Sequence, residues 1–98
     1  MQFHVRLTHS PDNCWARDEQ AGKAADLVAR LEDAHDSFGV TVRSALVAPN
    51  EHTFFFLLEA ESFEAVTALL GPPLLQDHAA DIVPVTTFAA AMDATDVE

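Results

Sequence analysis

The chemistry-bearing residues of this chain cluster first in "THSPDNCW", residues 8–15, which holds the only cysteine, Cys14, and the only tryptophan, Trp15. His9 stands five residues before Cys14. Thiolate and imidazole together are a good donor set for zinc, copper or another late first-row metal. A thiol near a helix N-terminus has its thiolate favoured by the helix dipole, and a nearby imidazolium favours it further. His52 lies 43 residues after His9, but the topology argued below brings it beside His9. His9, Cys14 and His52 are therefore the predicted metal ligands, with an open fourth position for water or a small ligand. The same residues also admit metal-free chemistry, with Cys14 as a catalytic thiolate and His9 or His52 as its base. The H-x4-C spacing matches none of the closed zinc patterns, and a lone cysteine is most often a small buried hydrophobe. A third reading is a binding or assembly module in which the histidines are incidental.

Other reactive side chains are more scattered. His4 and Arg6 project from the polar face of the first strand, where two basic groups would hold an anionic small molecule in a cavity between two sheets. An Arg–carboxylate pair is the structural alternative for Arg6. His78 precedes the last strand near the same end of the sheet, but the direction of its ring is open because "GPP" at 71–73 interrupts the preceding helix. His35 falls on a helix stripe at the opposite end, as a packed or capping residue. Trp15 reads as a hydrophobic anchor at the start of the first helix. There is no Gly-rich phosphate loop, no Ser-x-x-Lys pair and no nucleophile elbow.

The elements that position these residues follow from periodicity. "QFHVRLTH" alternates strictly, so Phe3, Val5 and Leu7 face a core while His4, Arg6 and Thr8 face away. "SPDN" is turn chemistry. The spacing of Ala24, Leu27, Val28, Leu31, His35 and Phe38 predicts one amphipathic helix from about Trp15 to Phe38, closed by Gly39. "VTVRSALVA" is a second strand, rich in β-branched residues, and "PNE" a turn. "HTFFFLLEA" is apolar on both faces, which marks a central strand covered on both sides. Ser62 caps a second helix that buries Phe63, Val66, Leu69 and Leu70, and Gly71-Pro72-Pro73 stops it. "LLQDHAA" adds a turn or two. "DIVPVTTF" is a fourth strand, which Pro84 confines to an edge.

The order β-α-β-β-α-β is the ferredoxin-like plan, an α+β fold with a four-stranded antiparallel sheet in the order 4-1-3-2. It forms one domain over residues 1–90, followed at 91–98 by an acidic tail that is either frayed or a short helix. Both helices cover one face of the sheet. The apolar residues on the other face call for a second copy, packed sheet to sheet as a two-fold homodimer.

A βαββαβ unit with a sticky free face resembles the dimeric α+β barrel superfamily, which includes muconolactone-isomerase-like and YCII-like proteins and antibiotic-biosynthesis-type monooxygenases. "LLGPPLLQDHAADIVPVTTF" is similar to the ending of several small members. The resemblance implies a dimer. It implies no particular reaction, because the architecture hosts unrelated activities, isomerase and monooxygenase among them.

Sixteen acidic residues against five basic ones give a formal charge of −11, and Lys23 is the sole lysine. Such a surface repels phosphate backbones and anionic membranes, so neither nucleic acid nor a membrane is a predicted partner. The composition resembles that of salt-loving proteins, in which salt screens the repulsion. A single cysteine, an N-terminus without an apolar h-region and no run of spanning length point to a cytoplasmic protein.

Overall fold

The structure is a computed structural model and describes residues 1–10 and 21–96. Four antiparallel strands form one sheet: β1 (Gln2–Thr8), β2 (Thr41–Ala48), β3 (Thr53–Glu59) and β4 (Ala79–Val85). Their spatial order is β2-β3-β1-β4, which is the predicted 4-1-3-2 read from the other edge. β1 pairs residue for residue with β3, from Gln2↔Glu59 to Thr8↔Thr53, and with β4, from Gln2↔Val85 to Thr8↔Ala79. The doubly apolar strand is therefore interior, and the proline-bearing strand is an edge.

The helices are α1 (Ala21–Glu32), α2 (Ala34–Phe38), α3 (Phe63–Asp77) and α4 (Phe88–Asp96). One apolar cluster joins Phe3, Val5 and Leu7 of β1 and Phe56 and Leu58 of β3 to Leu27 of α1, Ala34 of α2, and Val66, Leu69, Leu70 and Leu74 of α3. The fold is thus an α+β layer in which α1, α2 and α3 pack on one face of the sheet; among the described residues, none of the core cluster lies on the other.

Several helix expectations need correction. The predicted Trp15–Phe38 helix is broken at Asp33, where α1 ends and α2 starts; residues 15–20 lie outside the described residues. Asp33 has φ −99° and ψ 10°, and its carboxylate accepts a hydrogen bond from the Ser37 hydroxyl. Aspartate competes for local hydrogen bonds in this way and favours helix ends over interiors. The break rotates the stripe, so His35 is exposed beside Asp36 rather than packed. Val28 and Phe63, predicted to be buried, are also about half exposed.

Gly71 does not end α3 but kinks it. At φ 77° and ψ 160° it sits in a backbone region open essentially to glycine alone, and helix resumes through "LLQD" to Asp77. The Arg30 guanidinium from α1 lies against this kink, with Nη1 donating at 3.2 Å to the carbonyls of both Ala68 and Leu69. The orphan carbonyls of the first half of α3 are so satisfied. Continuation past the kink carries His78 to the sheet end where β1 finishes.

Candidate functional site

β1 ends where β3 and β4 begin, and that reversal assembles a histidine cluster from three distant parts of the chain. The His9 backbone N–H donates to the His52 carbonyl at 3.1 Å, extending the β1–β3 ladder by one step. The ring centroids of His9 and His52 are 5.2 Å apart, edge to face. The His9 and His78 centroids are 4.8 Å apart, also edge to face. Phe54 walls the cluster, with its ring 5.8 Å from His9 and 5.2 Å from His78.

Burial separates these rings from ordinary surface histidines. His9 is 8% exposed and His78 7%. Among the described residues, neither ring nitrogen of His9 has a hydrogen-bond partner, and the buried Nδ1 of His52 has none. Buried polar atoms are nearly always paired, so three orphaned imidazole nitrogens at one point are an anomaly that calls for a missing partner. Among the described residues, no backbone carbonyl satisfies the His9 ring.

His52 is held in an unusual conformation. It follows a 3₁₀ turn over Pro49–Glu51 and adopts φ 52°, ψ 46°, the only non-glycine positive φ among the described residues. Histidine tolerates this left-handed region better than most residues, but at some cost, and such strain concentrates at functional positions.

His78 is fixed differently. It caps the C-terminus of α3, and its Nδ1 lies 2.8 Å from the Leu74 carbonyl oxygen. A carbonyl only accepts, so Nδ1 carries the proton and Nε2 the lone pair. The preceding residue, Asp77, is tied to Lys23 of α1 by an ion pair at 2.6 Å.

The electrostatics favour the neutral forms of His9 and His78. Burial pushes His9 below its ordinary value; the neighbouring His78 and His52 rings add to that, and the Asp77 carboxylate opposes it. Burial likewise lowers His78. The Leu74 hydrogen bond and Asp77 oppose it, and Lys23 reinforces it. Neutral imidazole is the form that binds a metal.

The structure thus brings His9 and His52 together as the sequence predicts. Cys14 and Trp15 lie outside the described residues. His78, which the sequence leaves with an open ring direction, belongs to the cluster. Its signal was its place at the start of the strand beside β1, hidden by the glycine-proline interruption. Among the described residues, no three His, Cys, Asp or Glu side chains already converge on one point that would hold a metal ion; the rings meet edge to face.

His4 and Arg6 lie on the open face of the sheet, opposite Leu57 and Phe55 of β3. Arg6 pairs there with Asp81 at 3.6 Å, both half exposed or more. Two clefts, of about 560 and 420 Å³, occur at the other end of the molecule, around Met1 and Pro84, away from the histidines. No helix among the described residues is long and apolar enough to cross a membrane. No protein-family model matches the chain, and no curated protein is significantly similar to it.

Proposed function

We propose that this chain binds a late first-row transition metal, zinc or copper, through His9 and His52, with Cys14 the sulfur donor suggested by the sequence. The observation that carries this reading is the His9 ring, nine-tenths buried with both nitrogens unpartnered, beside a second imidazole whose Nδ1 is also orphaned. Two imidazoles on one tetrahedral ion, with metal–nitrogen bonds of about 2.0–2.1 Å, have ring centres about 5 Å apart. The His9–His52 separation of 5.2 Å already has that span.

The test is metal titration of protein purified without an affinity tag. Co²⁺ and Cu²⁺ should bind stoichiometrically, and His9→Ala should weaken binding at least about tenfold, since even residues that merely orient a ligand cost that much. Cys14→Ala should remove the near-ultraviolet thiolate-to-metal band. Absence of stoichiometric metal on the wild-type chain refutes the reading.

We further infer a sheet-to-sheet homodimer, the arrangement implied by the resemblance to dimeric α+β barrel proteins. The open face carries Phe55, Leu57, Leu46 and Val83, with Leu46 64% exposed. Its charges are matched: Arg6 with Asp81, and Arg43 with Glu59. On a chain of charge −11, a neutral apolar face lets two copies meet without facing like charge.

A further inference from the structure

We propose that α4 is an exchange arm, which in the sheet-to-sheet dimer leaves its own copy and lays Phe88 against the β2 edge of the second copy. This rests on the dimer reading above and adds a contact that the open faces alone do not supply.

α4 is a well-formed helix in an exposed place. The Thr87 hydroxyl accepts from the Ala90 backbone N–H at 3.0 Å, which caps its start. Yet every side chain from Phe88 to Asp93 is exposed, and Phe88 reaches 82%. A cleft of about 560 Å³ opens at its root, lined by Met1, Gln2 and residues 84–87. The segment "FAAAMD" carries a single charge, so this is not a helix built to be wet on every side. A helix of nine residues is marginal in water without tertiary packing. Its own copy leaves it in solvent, so the packing must come from another body.

Charge and strand register point to where on the second copy it lands. Two sheets facing each other across a two-fold axis stack in one of two ways. An axis across the strands sets β4 over the partner's β4, so that Asp81 meets Asp81 and the two acidic arms run together. An axis along the strands sets β4 over the partner's β2, the opposite edge, which carries Arg43. The second arrangement avoids like charge. It also keeps the ends of the strands together. Val85 lies across from Gln2, Gln2 from Glu59, and Glu59 from Thr41, so all four mark one end of the sheet. The root of α4 then stands over the Thr41–Arg43 end of the partner's β2. At 1.5 Å per residue α4 is about 14 Å long, more than the roughly 10 Å between packed sheets, and it can cross from one layer to the other. Asp93 is thereby brought towards Arg43 of the partner subunit. Two-fold symmetry makes the exchange mutual, so each copy gives one arm and receives one.

Amide hydrogen exchange and sedimentation of the full chain, at low and at molar salt, test this. The α4 amides should exchange freely in the monomer and become protected in the dimer. Phe88→Ala keeps a strong helix former. It should leave the melting temperature at low salt unchanged and weaken the dimer at least about tenfold. Asp93→Arg makes the chain less acidic, so general repulsion alone would tighten the dimer. The contact with Arg43 requires the opposite sign, a dimer weaker by about twofold or more at the salt concentration where the wild type is half associated. A dimer with unprotected α4 amides and wild-type affinity in Phe88→Ala removes the arm and leaves the sheet-to-sheet reading standing. A fall in the low-salt melting temperature of Phe88→Ala places α4 on its own copy and also overturns the proposal, as does a tighter dimer in Asp93→Arg. A wild-type chain that stays monomeric in molar salt removes dimer and arm together.

Discussion

At the scale of single residues, the histidine cluster couples stability to pH as well as to metal. An imidazole held below its ordinary value in the fold binds a proton more readily in the unfolded chain. His9 and His78 are both so held, chiefly by burial. Above the unfolded value of about 6.5 neither state carries these protons and stability is at its full value. As pH falls below about 6.5 the unfolded chain takes up more protons than the fold, and stability declines. The urea midpoint of the metal-free protein should therefore be level between about pH 8 and 7 and fall from about 6.5 downward. His9→Phe, which keeps a ring of similar bulk beside Phe54 but cannot titrate, should flatten that fall. An equally steep fall in the variant means that the cluster is not the source. The anomaly at His9 was not legible in the sequence, because burial depends on what strands β3 and β4 bring to the end of β1. The gathering of His9, His52 and His78 at one end of the sheet could be read in advance, from strand order and chain direction; the direction of the His78 ring could not.

At the scale of elements, legibility tracked the length of the repeat. Period-two alternation shows both faces of a strand within a few residues, so β1, the interior β3 and the Pro84 edge were all readable. A helix stripe depends on phase kept over many residues, and a single interruption spoils it. Asp33 does so for the first helix: His35 turns out to be exposed, although Phe38 still packs against the core and Gly39 still closes the helix. In α3 the interruption was legible: Gly71-Pro72-Pro73 reads as a break followed by a turn or two of helix, and Gly71 takes a glycine-only conformation before helix resumes to Asp77. That kink aims the last turns of α3, and so His78, at the cluster. A Cβ at position 71 would lie 2.9 Å from Arg30 Nη1, on top of the backbone strain of φ 77°. Gly71→Ala should cost about 1–3 kcal/mol in chemical denaturation. Arg30→Lys, which cannot span both carbonyls with a rigid fork, should cost less, about 0.5–1.5 kcal/mol. A neutral Gly71→Ala would mean that the kink is incidental to how α3 and the histidine end are held.

At the scale of the whole molecule, two tendencies oppose one another. The apolar open face favours association, since about 25 cal/mol is gained per Å² of apolar surface withdrawn from water. The charge of −11 on each copy opposes it. Their ranges differ, and that decides the outcome. Burial acts only at contact, whereas repulsion between exposed carboxylates reaches a Debye length, about 30 Å at 0.01 M salt but about 3 Å at 1 M. Repulsion from acids elsewhere on the surface therefore weakens as salt rises, while the matched Arg6–Asp81 and Arg43–Glu59 pairs add little net charge at the interface itself. Sedimentation should show association strengthening from 0.01 M to molar salt, with a mass of two chains at the upper end. Leu46→Glu places a charge on the open face, on the edge strand β2, at a position already 64% exposed in one copy. It should leave the melting temperature of the single chain nearly unchanged, as surface substitutions do, yet keep the protein monomeric at every salt concentration. A wild-type chain that remains monomeric in molar salt, where repulsion is screened and only burial acts, has no sheet-to-sheet dimer.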